Sequence, residues 1–206
     1  MTVVRIGQQE RKRRSSLLLR RVTPGMLFLV VAAIAALRLW VVETAIVEGH
    51  SMENTLLPGD RVLVLKPLGL KRFDVVVLQD PEAKEVVIKR VVGLPGDTIS
   101  MVPYTVNVGD HQVMLGSQLY VNGTPYEEPY ASSAIPRSLP PLRVPEESCF
   151  VLGDNRDDST DSRQYGPVKR RDIQGVGVAV ILPLARAKAI PRGAGPSGPA
   201  AARISD

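Results

Sequence analysis

Val86-Val87-Ile88-Lys89-Arg90-Val91-Val92, closed by Gly93-Leu94-Pro95-Gly96-Asp97, is the stretch from which the fold of this chain can be read. Branched residues favour extended backbone, and the Gly-Pro-Gly-Asp turn stops it. Side chains alternate along a strand, so Val87, Lys89 and Val91 share one face and Val86, Ile88, Arg90 and Val92 the other. Both faces are apolar except at the two cations. An edge strand guarded by charge has this pattern. So does a buried strand whose lysine has lost its water, and desolvation lowers the pKa of an ammonium. Arg90 does not release its proton, so of the two only Lys89 can act as a base.

Similar runs recur outward from this one. Arg61–Leu65 follows the turn Pro58-Gly59-Asp60, and Asp74–Leu78 ends at Asp80-Pro81. Leu119–Val121 runs into the hairpin signal Asn122-Gly123, and Phe150–Leu152 and Val176–Leu182 complete the set. Helical periodicity is scarce between them, which predicts a mainly β body. Ala131–Pro145 is rich in Ser and Pro and is expected to be an exposed loop. Pro191–Asp206 is rich in Gly, Pro and Ala and is expected to be disordered.

Ahead of the body lies an apolar stretch, Val22–Val42, whose 21 residues suit a membrane-spanning helix. Residues 1–21 carry seven Arg and Lys against one Glu, so the chain's net charge of +5 resides in this block and the rest sums to −1. Basic residues beside an apolar stretch mark the cytoplasmic side. A nucleic-acid binder would place them on the domain itself. A cleaved signal peptide competes with a retained anchor. However, Ala33 and Ala35 lie inside the apolar core, and Glu43 occupies the −3 position before Ala45. The expected layout is a basic cytoplasmic tail (1–21), one transmembrane helix (22–42), an extracytoplasmic catalytic β domain (43–190) and a disordered tail (191–206).

Just past the apolar stretch stands Gly49-His50-Ser51-Met52. A serine hydroxyl needs a base to become a nucleophile, and a desolvated Lys89 is one candidate. His50 is adjacent, but neighbouring side chains of an extended segment point apart, and His111 sits in a polar segment. Gly49 would let a substrate backbone approach closely, and the Ser51 N–H could serve an oxyanion. Gly153-Asp154-Asn155-Arg156-Asp157-Asp158-Ser159-Thr160-Asp161-Ser162-Arg163 is dense in Asp, Ser and Arg. It lacks the closing Glu of an EF-hand loop and reads as a rigid loop tied by Asp–Arg pairs. With two histidines and one cysteine, Cys149, neither zinc nor an internal disulfide is expected.

Three segments in this order, Gly49–Leu56, Lys89–Asp97 and Gly153–Arg163, behind an apolar anchor, resemble the bacterial type I signal peptidases, with a likeness over about residues 20–190. The resemblance implies a signal-peptidase-type β body and a membrane-bound serine endopeptidase of the inner membrane, its catalytic domain on the outer face. Signal peptides and the lipid bilayer would be its partners, with no cofactor, metal or nucleic acid. It implies Ser51 as nucleophile, Lys89 as general base and Ser159 as the hydroxyl orienting Lys89. Asp161 and Arg163 would form a supporting pair, Asp154 and Arg156 would brace the same loop, and Met52 would line the pocket. Two departures stand out. Asn54 replaces the family's usual proline, which would loosen the turn, and Gly49 replaces a serine that some members use as an oxyanion donor.

Overall fold

The computed structural model describes residues 23–66, 69–108, 111–132 and 135–193. The basic block 1–21 and residues 194–206 of the expected tail lie outside them. The chain divides into two compact units, residues 1–39 and 40–206, each described by itself.

In the N-terminal unit, helix α1 begins at Pro24 and runs on to Val41 (Pro24–Val41, 18 residues). Pro at the first helical position is preset for the helix. At 1.5 Å per residue α1 is about 27 Å long, and its side chains from Met26 to Val31 and at Ile34 are exposed. Among the described residues, no helix is long and apolar enough to cross a membrane. The expected stretch also ends one residue early: Val42 opens a strand because it pairs with Leu65.

The second unit is mainly β. Its larger sheet contains β1 (Val42–Ile46), β2 (Arg61–Leu65), β3 (Val75–Gln79), β4 (Val86–Gly93), β9 (Ser148–Leu152), β10 (Val168–Lys169), β11 (Ile173–Leu182) and β12 (Lys188–Ala189). The order is β1-β2-β11-β3-β4-β9-β10, with β12 added on β11. A second sheet, in the order β7-β6-β5-β8, holds β5 (Thr98–Val108), β6 (His111–Val121), β7 (Thr124–Tyr126) and β8 (Leu139–Arg143). Three apolar clusters fill the interior. One joins Met52 and Leu56 to Val62, Val64, Val75, Val77 and Val180. Another lies under the second sheet around Ile99, Met101, Leu119 and Phe150, and the third surrounds Val76, Val91, Cys149 and Val151. Cys149 is fully buried there, and burial pushes its thiol up to about 11.

One reading left open by the sequence is decided, and three expectations change. The Lys89 strand, β4, pairs with β3 along Val86–Arg90 and with β9 from Arg90 onward, so its second half is interior while Val86–Lys89 is paired on one side only; Lys89 is nonetheless buried. His111 starts an 11-residue arm of a long hairpin, β5–β6. The loop expected at 131–145 contains β8, whose Leu139 and Leu142 pack on the second cluster. Its prolines, Pro140 and Pro141, fit because β8 is an edge strand. Finally, the body extends past 190. Ile190 is buried in the first cluster, Arg192 Nη2 donates to Asp74 Oδ2 at 2.8 Å, and the Gly193 N–H donates to Asp74 Oδ1 at 3.1 Å.

Candidate active site

Ser51 lies in a turn between β1 and β2. Met52 and Leu56, buried at 1% and 0% exposure, anchor that turn in the core. The backbone closes on itself through the Thr55 and Leu56 N–H groups, which both donate to the Met52 carbonyl. Asn54 has φ +90°, a conformation closed to proline with its φ fixed near about −65°. Proline could not take this position without a change of local backbone, and the turn is closed by its own hydrogen bonds.

Strand β4 brings Lys89 to this turn. Its Nζ donates to Ser51 Oγ at 2.7 Å, and the residue is 4% exposed. Burial pushes the Lys89 pKa below its ordinary value; Asp161, Asp80 and Asp158 pull upward against it, and Arg163 adds to the fall. Neither histidine competes. His50 Nδ1 faces Glu53 at 3.3 Å on the surface, and His111 is exposed.

The loop after β9 supplies the surroundings. Asp161 caps the short helix α2 (Ser162–Tyr165) in a capping box with Gln164. Its carboxylate is gripped by Arg163 through Nε and Nη2, both at 2.8 Å. It also accepts the Gly153 N–H and the Ser159 hydroxyl, each at 2.9 Å. Ser159 thus donates to Asp161 and makes no hydrogen bond to Lys89, whose one side-chain hydrogen bond among the described residues is to Ser51. Ser159 instead packs beside the nucleophile segment: a methyl on Gly153 would sit 2.2 Å from Ser159 Oγ and 2.6 Å from the Ser51 carbonyl oxygen. Glycine is needed here for close approach, since its φ is ordinary.

Asp154 and Arg156 brace the loop, though not through each other. Asp154, fully buried, pairs with Arg90 at 2.8 and 2.6 Å and also accepts the Thr55 hydroxyl. Burial works against the charge of Arg90, but the Asp154 carboxylate overrides it and holds the guanidinium above its ordinary pKa. Tyr130 lies over the same guanidinium at 4.0 Å. Arg156 reaches Glu128 at 2.7 and 2.6 Å and donates to the Gly153 carbonyl at 2.9 Å. Between them Asn155 holds the serine segment, its N–H donating to the Ser51 carbonyl at 3.0 Å and its Nδ2 to the His50 carbonyl at 3.3 Å. Sequence reasoning set Arg90 aside as a non-base and missed Glu128, Tyr130 and Asn155. The one signal was Arg90 itself, a second cation in an apolar strand.

A groove of about 640 Å³ opens beside Ser51 and Lys89, walled by Glu43–Gly49 on one side and Glu85–Ile88 on the other, over Val64 and Val77. At Gly49 an added methyl would meet nothing within 4 Å. Along Val86–Lys89 the backbone edge away from β3 has no strand partner among the described residues. No group of three or more His, Cys, Asp or Glu able to hold a metal occurs among the described residues.

A serine hydroxyl held by a dry lysine in an open groove is the equipment of an acyl-transfer hydrolase, and comparison with known proteins agrees. The family model "Signal peptidase, peptidase S26" matches residues 19–182. The chain is 35% identical over 172 residues to signal peptidase I P of Bacillus subtilis subsp. natto, covering 75% of this chain and 86% of that protein. It is 38% identical over 166 residues to signal peptidase I of Bacillus caldolyticus, covering 72% and 84%. A crystal structure of a signal peptidase I from Enterococcus faecalis V583 aligns at 31% identity over 53% of this chain and 97% of that one, with a TM-score of 0.41. The chain belongs to the signal peptidase family, peptidase S26, and is a serine-type peptidase, a hydrolase.

Proposed function

We propose that this chain is a membrane-anchored endopeptidase that removes signal peptides from exported preproteins through a Ser51–Lys89 dyad. The 2.7 Å approach of Lys89 Nζ to Ser51 Oγ carries this reading. The segment before the cleaved bond lies extended in the groove, its backbone paired to the open edge of Val86–Lys89 as an added strand. Neutral Lys89 takes the Ser51 proton as Oγ attacks the carbonyl. Backbone N–H groups, that of Ser51 among them, receive the oxyanion. Lys89 then protonates the leaving amine, and water, deprotonated in turn by Lys89, hydrolyses the acyl-enzyme.

The other residues serve these two. Asp161 and Arg163 fix the loop that walls Lys89, and Ser159 acts through Asp161. Asp154 and Arg156 set the position of Asn155, which holds the carbonyls of His50 and Ser51. Met52 anchors the nucleophile turn. Gly49 leaves room for substrate, so the oxyanion site relies on main-chain donors. Helix α1, with its exposed apolar side chains and the basic block before it, supports an inner-membrane anchor with its N-terminus inside and the β body outside.

The test is cleavage of a preprotein by the full chain in detergent. Ser51→Ala and Lys89→Ala should each lower kcat by at least about three orders of magnitude. Near-parental turnover by either folded variant would remove the proposal.

A further inference from the structure

We infer that the groove sorts substrates by charge, favouring a basic side chain and disfavouring an acidic one about four residues before the cleaved bond. The inference rests on the groove being the seat of the signal peptide, as proposed above. Three carboxylates, Glu43, Glu48 and Glu85, line its walls. Glu43 is tied to Lys66 at 2.9 Å. Glu48 and Glu85 are exposed, and no ion pair engages either among the described residues. Lys89 is the one cation among the lining residues. It is buried at the floor, and in its working state it carries no charge. The field along the groove is therefore negative and open to a mobile side chain.

The fold sets where that field is felt. Glu85 precedes Lys89 by four positions, at the entry to β4. At about 3.3 Å per residue, that places it roughly 13 Å along the wall from the catalytic amine, the reach of about four residues of a peptide lying alongside. Glu48 stands three positions before Ser51 on the facing wall and extends the same field toward the bond. The floor between them, Val64 and Val77, is apolar and offers no counter-charge.

Three peptides differing only in Lys, Ala or Asp at the fourth residue before the bond decide the matter, cleaved by the full chain in non-ionic detergent. One exposed charge pair changes kcat/KM by about two- to fivefold, so the Lys peptide should exceed the Asp peptide by about tenfold at low salt. The ratio should collapse in 1 M NaCl, where charges are screened beyond roughly 3 Å. It should also fall in Glu85→Gln and in Glu48→Gln. Equal kcat/KM for all three peptides at low salt would overturn the inference. So would a preference that survives both high salt and both substitutions. Cleavage of all three that persists undiminished in Ser51→Ala would overturn the dyad reading and the inference together.

Discussion

Gly153→Ala is the most direct probe of how the loop holds the nucleophile. The added methyl would stand 2.2 Å from Ser159 Oγ, 2.5 Å from Ser159 Cβ and 2.6 Å from the Ser51 carbonyl oxygen. Ser159 Oγ can rotate away, but Ser159 Cβ moves only with its own backbone, and the Ser51 carbonyl cannot move alone, because the Asn155 N–H holds it at 3.0 Å. Moving that oxygen from 2.6 Å to 3.4 Å, where ordinary contact begins, shifts the Ser51 backbone by about 0.8 Å. A displacement of about 1 Å at reacting atoms can cost roughly 100-fold, and overpacking of this kind costs about 1–3 kcal/mol of stability. Steady-state kinetics on a peptide should therefore show kcat down about 100-fold with a smaller change in KM. Urea unfolding should show the loss of stability. Adding Ser159→Gly removes the two side-chain contacts but not the one to Ser51, so stability should recover more than kcat does. A folded Gly153→Ala variant with kcat within about threefold of the parent would refute the reasoning.

Two further substitutions test the buried charges. Lys89 has a folded pKa below its ordinary 10.5, so the unfolded chain binds the extra proton between those values and stability should rise with pH across that window. In Lys89→Met this slope should disappear, and the variant should be the more stable at neutral pH, measured by urea unfolding across a pH series; an unchanged slope counts against the assignment. Asp154→Asn leaves Arg90, 6% exposed, without its carboxylate and should lower stability by about 3–5 kcal/mol, with a loss below about 1 kcal/mol contradicting the pairing.

Elements whose apolar runs are uninterrupted were legible. β2, β3, β4, β9 and β11 all appear within a few residues of their Val- and Leu-rich runs. β8 was hidden because Leu139-Pro140-Pro141-Leu142 reads as a breaker, and only its place at a sheet edge makes it a strand. The β5–β6 hairpin was hidden because Pro103, Asn107, Gln112 and Gly116 dilute its alternation. Within the site, a lysine among valines singled out Lys89, since a buried cation in that setting invites a partner. The partners of the loop charges were not legible. Asp154 meets Arg90 across 64 positions and Arg156 meets Glu128 across 28. Short-range Asp–Arg spacing succeeded only for Asp161 and Arg163, where a helix cap fixes both residues.

β11 lies between β2 and β3, which do not pair with each other. Until residues 173–182 leave the ribosome, no strand ladder joins the two halves of the large sheet, and side-chain packing alone must hold them together. A chain cut short before residue 173 should therefore fail to assemble the large sheet, and the peptidase should come into being only near the end of synthesis.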